Sequence, residues 1–226
     1  MRKTFPIILL ALVVSACGSG SGLTREKLYP GMYEERPVTL LVMPPINNTT
    51  KVEAKELLYT SISRPLAEAG YYVISPRLAM DVLRQESAYD AELFIDRPLR
   101  MFHDFFGADA VIFSVIERWA KEGVGISTKI RYIIKSSLTD QVLFDRTCDL
   151  FLDLSVDSDN KDQPLLGVLL DLTASLLNTA LTDNIEAARK ANYYIFRDLP
   201  VGKYDDLYLK DQEIAADPRD IRKTVK

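Results

Sequence analysis

Gly125-Ile126-Ser127-Thr128-Lys129-Ile130-Arg131-Tyr132-Ile133-Ile134-Lys135-Ser136 sets Ile126, Thr128, Ile130, Tyr132 and Ile134 at alternate positions, with Ser127, Lys129, Arg131 and Lys135 between them. Successive side chains of an extended backbone point to opposite sides, so a period of two over a dozen residues reads as a strand with one buried and one wet face. The neighbouring segments continue it. Residues 110–116 are apolar and β-branched. Beyond the turn Leu138-Thr139-Asp140-Gln141, the residues Val142, Phe144, Arg146, Cys148 and Leu150 alternate with Leu143, Asp145, Thr147 and Asp149. Three consecutive strands with short connections form an antiparallel meander.

Upstream the pattern differs. Val38-Thr39-Leu40-Leu41-Val42-Met43 is nearly continuous in apolar residues and is stopped by Pro44-Pro45, as in a central strand covered on both faces. Residues 53–69 carry Leu57, Leu58, Ile62, Leu66 and Ala69 at helical spacing, closed by Gly70 and interrupted by Pro65, which kinks the helix or ends it early. Tyr71-Tyr72-Val73-Ile74-Ser75 is a second short strand, and Pro76 opens a helix to about Glu86. Strand, helix, strand, helix in so few residues predicts a crossover and a parallel pair. Another helical piece, 98–106, ends at Gly107. The longest helix is predicted over 164–188, after an acidic loop at 153–163. The fold class is therefore α/β: a mixed sheet of about five strands, parallel in its N-terminal part and a meander after it, flanked by helices.

The first residues carry an address. Arg2 and Lys3 precede an apolar run from Phe5 to Val14 that is too short for a spanning helix, and Val14-Ser15-Ala16-Cys17 follows at once. That ending resembles a bacterial lipobox, cleaved between Ala16 and Cys17, with the Cys17 thiol taking lipid, including palmitate-type acyl chains. An ordinary secretory signal with an incidental Cys17 is the bland alternative. Gly18 rather than Asp follows the cysteine, which favours the outer membrane, periplasm-facing or surface-exposed. The domain organisation expected is a signal peptide at 1–16, lipidated Cys17 and a flexible tether at 17–36, a single α/β domain at 37–200, and a partly disordered tail at 201–226.

Composition narrows function by exclusion. The chain has 28 Lys+Arg against 32 Asp+Glu and a net charge of −4; losing Arg2 and Lys3 with the leader makes that 26 against 32, or −6. A mildly acidic chain without a basic stripe does not suit nucleic acid. With Cys17 committed to lipid, Cys148 has no intrachain partner. The one histidine, His103, lies among aromatics in Met101-Phe102-His103-Asp104-Phe105 and reads as a packed side chain sooner than a base. Asp153, Asp157, Asp159 and Asp162 lack the Gly and terminal Glu of a calcium loop. No phosphate-binding glycine loop precedes a helix. These readings predict a non-enzymatic protein without metal or cofactor; the rival is an envelope hydrolase using carboxylates such as Glu117 or Asp145, or a peptidoglycan-binding structural lipoprotein.

Two segments stand out as interaction surface. Pro44, Pro45, Asn47, Asn48 and Thr49 lie where a strand of an open α/β sheet ends, the region outside which ligands commonly bind; a rigid loop capping the next helix is the plainer reading. The long helix is apolar on more than one face, and Leu165, Leu169, Leu172 and Leu176 are a candidate oligomer face. A core helix buried on two sides, or one touching the membrane surface, uses the same residues.

The lipobox, Leu41-Val42-Met43-Pro44-Pro45-Ile46-Asn47-Asn48-Thr49, Gly107-Ala108-Asp109-Ala110-Val111-Ile112 followed by Trp119, and Leu199-Pro200-Val201-Gly202-Lys203-Tyr204 together resemble a family of bacterial lipoproteins of unassigned function, of the neisserial surface antigen type. Lys203 stands where that family pattern has Pro. The resemblance implies a domain similar to the N-terminal domain of TolB and to the periplasmic domain of the secretion lipoprotein CsgG, often dimeric. It further implies, as partners, a CsgG-like pore lipoprotein and a small companion lipoprotein in protein transport or secretion across the envelope. The lipidated Cys17 is the one functional residue that carries over.

Overall fold

The computed structural model describes residues 22–155 and 172–226, with the backbone alone for 172–180. Two short helices, α1 (Arg25–Leu28) and α2 (Pro30–Glu35), lead into β1 (Thr39–Val42) and β2 (Ile46–Asn47). Helices α3 (Glu53–Ser61) and α4 (Ser63–Glu68), strand β3 (Tyr72–Val73), α5 (Pro76–Gln85) and α6 (Arg100–Phe106) follow. The meander is β4 (Ala110–Glu122), β5 (Gly125–Ser136) and β6 (Val142–Asp153); α7 (Leu172–Phe196) and β7 (Asp220–Val225) complete the order.

All seven strands join one mixed sheet, in the order β3-β1-β4-β5-β6-β7, with β2 also on β4. β1 lies parallel to both β3 and β4, as the crossover pattern requires. The β4–β5 and β5–β6 ladders are antiparallel, each with one irregularity, at Ile116/Arg118 and Ile134/Lys135. The period-two pattern partitions the core. Leu40, Val42, Ile112, Ile130 and Ile134 face one side and pack with Leu58, Ile62, Leu66, Ala187, Ala191 and Ile195 of α3, α4 and α7. Leu41, Met43, Val111, Phe113 and Ile133 face the other and meet Ala79 and Leu83 of α5 and Phe102 of α6. Asn192 of α7 fastens the first layer: its side-chain oxygen accepts from the Tyr132 hydroxyl at 2.8 Å, and its amide donates to Leu58 O at 3.1 Å.

Four expectations need correction. The sheet has seven strands, because Ile46–Asn47 pairs with Val115 and Ile116, and the C-terminal segment adds β7 parallel to β6. Residues 201–226 are therefore not a disordered tail: Ile221 and Val225 are buried opposite Cys148 and Leu152, and Gly202 N donates to Ala69 O at 2.7 Å. The flexible tether is shorter than 17–36, since α1 and α2 bury Tyr29, Met32 and Tyr33 against the core. The long helix runs on to Phe196, past 188, because Ala191, Ile195 and Phe196 keep filling the same core. The break expected at Pro65 falls between α3 and α4, where the pyrrolidine occupies the first turn of α4 and the missing N–H costs no helical bond.

Candidate functional site

The chain leaves β1 through Pro44 and Pro45, both buried, and the polar side chains after them brace the loop. Asn47 Nδ2 donates to Lys51 O at 2.9 Å, Thr49 N and Oγ1 donate to Asn47 Oδ1 at 3.1 and 2.8 Å, and Lys51 N donates to Thr49 Oγ1 at 3.2 Å. These are local turns of the kind Asn and Thr favour. They do not cap α3, whose N-cap position is Val52 with no side-chain hydrogen bond. Of the five predicted loop residues Asn48 alone is exposed; Asn47 and Thr49 are half-buried.

The two prolines form a wall of a cleft. A depression of about 620 Å³ is lined by Pro44, Pro45, Val52, Lys55, Met80 and Tyr89 among others. An adjoining one of about 400 Å³ runs on between α3 and α5 past Ser63, Arg77 and Asp81, and the two share Glu56, Tyr59, Met80 and Arg84. Tyr59 is the buried divider. Its hydroxyl donates to Pro76 O at 2.8 Å, and burial pushes the phenol well above its ordinary value, so it stays protonated. Among the described residues, Lys55, Glu56, Arg77, Asp81 and Arg84 form no ion pair within 4.0 Å. A cleft with an apolar floor and unpaired charges of both signs at its rim suits a polypeptide contact.

The rival carboxylates lie elsewhere. Glu117 is paired with Lys129 at 2.7 Å, and Asp145 is held by Arg131 at 2.9 Å and Arg219 at 2.5 Å on the half-open face of the meander. The Arg131 hydrogen bond holds the Asp145 carboxyl below its ordinary value. Neither lines the cleft; the carboxylates that do are Glu56 and Asp81. His103 Nδ1 sits 3.0 Å from Ala108 O across the Gly107 turn, a structural position. Cys148 is a buried free thiol, pushed up to about 12 by burial. Asp153 Oδ1 accepts from Ser155 N at 2.9 Å, and Asp157, Asp159 and Asp162 lie outside the described residues. Among the described residues no cluster of three or more His, Cys, Asp and Glu side chains is placed to hold a metal, and no helix is long and apolar enough to cross a membrane. Cys17, Leu165 and Leu169 also lie outside them, and Leu172 and Leu176 are described by backbone alone.

Sequence reading misses one cluster. Arg146 points from β6 into the core, where its guanidinium lies 3.0 Å from Asp198 and donates to Pro218 O at 2.7 Å. Arg25 reaches the same place from α1, 2.9 Å from Asp211 and 3.7 Å from Asp198. Burial raises the Asp198 carboxyl above its ordinary value even with Arg146 beside it. Arg146 alternates in sequence with Phe144 and Cys148, which signals an inward position, but the partners are remote in the chain.

Residues 28–199 match the model of one family, described as "Putative lipoprotein GNA1162-like". The chain belongs to the GNA1162-like lipoprotein family. Membership brings with it a lipid-anchored class of protein. A curated relative, "Putative lipoprotein NMB1124/NMB1162" of Neisseria meningitidis serogroup B, is 26% identical over 182 residues, 79% of this chain and 83% of its own. Among solved structures, lipoprotein GNA1162 from Neisseria meningitidis aligns at 20% identity and a TM-score of 0.47, covering 65% of this chain and 99% of that one. The LpoB C-terminal domain from Salmonella enterica aligns at 15% identity and 0.36 over 55% and 93%.

Proposed function

We propose that this family member is a non-enzymatic outer-membrane lipoprotein, anchored through Cys17, that works in a trans-envelope assembly or export system with a CsgG-like pore lipoprotein and a small companion. Family membership and the lipobox support the anchor, and Gly18 after the cysteine supports the outer membrane. The observation that carries a protein-contact role is the cleft beside Pro44 and Pro45, with five rim charges that form no ion pair among the described residues. A homodimer is part of this reading. Co-purification of the lipidated protein from separated membranes tests it: a stoichiometric pore lipoprotein in the outer-membrane fraction is expected, and recovery of the protein alone overturns the partnership. Sedimentation of the soluble form lacking Cys17 tests the dimer, and a monomer at micromolar concentration overturns it.

A further inference from the structure

The point where the tether meets the domain is built, and its surroundings are apolar. Thr24 bridges Ala215; Arg25 N donates to Ile214 O at 3.0 Å and Ala216 N to Leu23 O at 2.8 Å, so two short segments from opposite ends of the chain are laced together. Asp211, fully buried, holds this lacing from below by accepting from Arg25 and from Val201 N. Leu23 and Ile214 flank the bridge and are 56% and 41% exposed; Tyr204 and Leu207, in the segment that Asp211 anchors, are 67% and 49% exposed. All four side chains are thus held outward on ordered backbone, in segments tied to one another through Arg25, Asp211 and Val201.

We infer that this corner, Leu23, Tyr204, Leu207 and Ile214, rests on the lipid bilayer to which the chain is anchored. The inference rests on lipidation of Cys17. Seven residue-to-residue steps separate that cysteine from Thr24, and at about 3.4 Å each they span at most about 24 Å. A domain of this size has a radius of gyration of about 16 Å. The tether is thus shorter than the domain is wide, and it brings this corner to the lipid surface at high effective concentration, where a weak apolar contact suffices. Nearby exposed charges cancel in sign, Lys27, Lys203 and Lys210 against Glu26, Asp206 and Glu213, so the contact is apolar and needs no anionic lipid. Tyr204 suits the headgroup level, with a ring that is apolar in body and polar at the tip.

The test uses the full, lipidated chain in phosphatidylethanolamine vesicles with a minor share of phosphatidylglycerol, some lipids carrying a nitroxide. A fluorophore is placed at Ile214→Cys, at Tyr204→Cys, or at Val124→Cys; the buried thiol of Cys148 does not compete. Val124, 62% exposed, sits at the β4–β5 turn, the other end of the sheet from the Gln141 and Leu143 side chains on which Gly31 packs. Quenching several-fold stronger at 214 and 204 than at 124, unchanged by added salt, is expected. Leu23→Asp with Ile214→Asp, both at exposed positions, removes the excess at 204. Equal quenching at all three sites overturns the inference, as does a label at 214 that is shielded without being quenched, which means that protein covers the corner. An unacylated N-terminus by mass spectrometry overturns the anchor itself, and is read separately.

Discussion

Asp145 and Arg146 are neighbours on β6 and live in different media. Asp145 points to the wet face of the meander, where two partly exposed arginines, Arg131 and Arg219, converge on it. Arg146 points the other way, into a core where its guanidinium has lost its water and meets Asp198, the Pro218 carbonyl and the Phe144 ring. The two ion pairs use the same chemistry. Their energetic weights differ because an exposed pair exchanges one good solvent for another, whereas a buried charge has no alternative to its partner.

The largest expected effect therefore belongs to Asp198. Asp198→Ala leaves Arg146 buried and unpaired, and removal of one partner of such a pair costs about 3–5 kcal/mol. Because Asp198, Arg25 and Pro218 come from three distant segments, the loss falls on docking of both chain ends. Urea unfolding followed by thiol labelling measures it: Cys148 is next but one to Arg146 on β6, is buried in the native sheet, and should become accessible to the label as the sheet opens. A midpoint unchanged from the parent shows that solvent already reaches Arg146 and that the contrast with Asp145 is empty.

A smaller loss is expected at the seam between the body and the C-terminal segment. Gly70, at φ +83°, and Gly202 approach backbone to backbone, and a Cβ on Gly202 overlaps the Gly70 carbonyl. Gly202→Ala costs about 1–3 kcal/mol by forcing that contact apart. Protease cutting within 201–226 that appears in this variant before the core unfolds separates seam failure from global unfolding; equal rates in variant and parent break the assignment.

The sequence announces what is local and hides what is remote. β5 is legible in its bounds because its alternation needs no partner to be seen, but the face expected to be wet is half covered, with Ser127 and Ile133 buried on it; Gly107 ends α6 by a left-handed turn that glycine advertises. β7 has two inward apolar residues, Ile221 and Val225, with Lys223 between them, and becomes a strand only because β6 lies beside it some 70 residues away in sequence. The same holds at the site: Pro44 and Pro45 were visible as a strand end, whereas Tyr59, Met80, Arg84 and Tyr89 join them only once α3 and α5 are packed. Asn47 and Thr49, read as capping or binding side chains, are spent inside their own loop.

The gentlest test sharpens the wet side of the comparison. The folded state holds Asp145 below its ordinary carboxyl value, the Arg131 hydrogen bond being the main cause, so this group binds a proton less readily folded than unfolded. Its contribution is then present in full above the unfolded carboxylate value near 4, and is lost as the pH falls through the lowered folded value. Asp145→Asn is expected to cost about 1 kcal/mol or less at neutral pH, since both arginines remain partly solvated and salt screens them. The difference between variant and parent should shrink as the pH drops below about 4 and also as salt is raised. Asp198 should show neither dependence on salt nor the same sign with pH, because its carboxyl is shifted upward and its partner is out of reach of ions. A salt-sensitive Asp198 paired with a salt-insensitive Asp145 reverses the assignment of the two faces of β6.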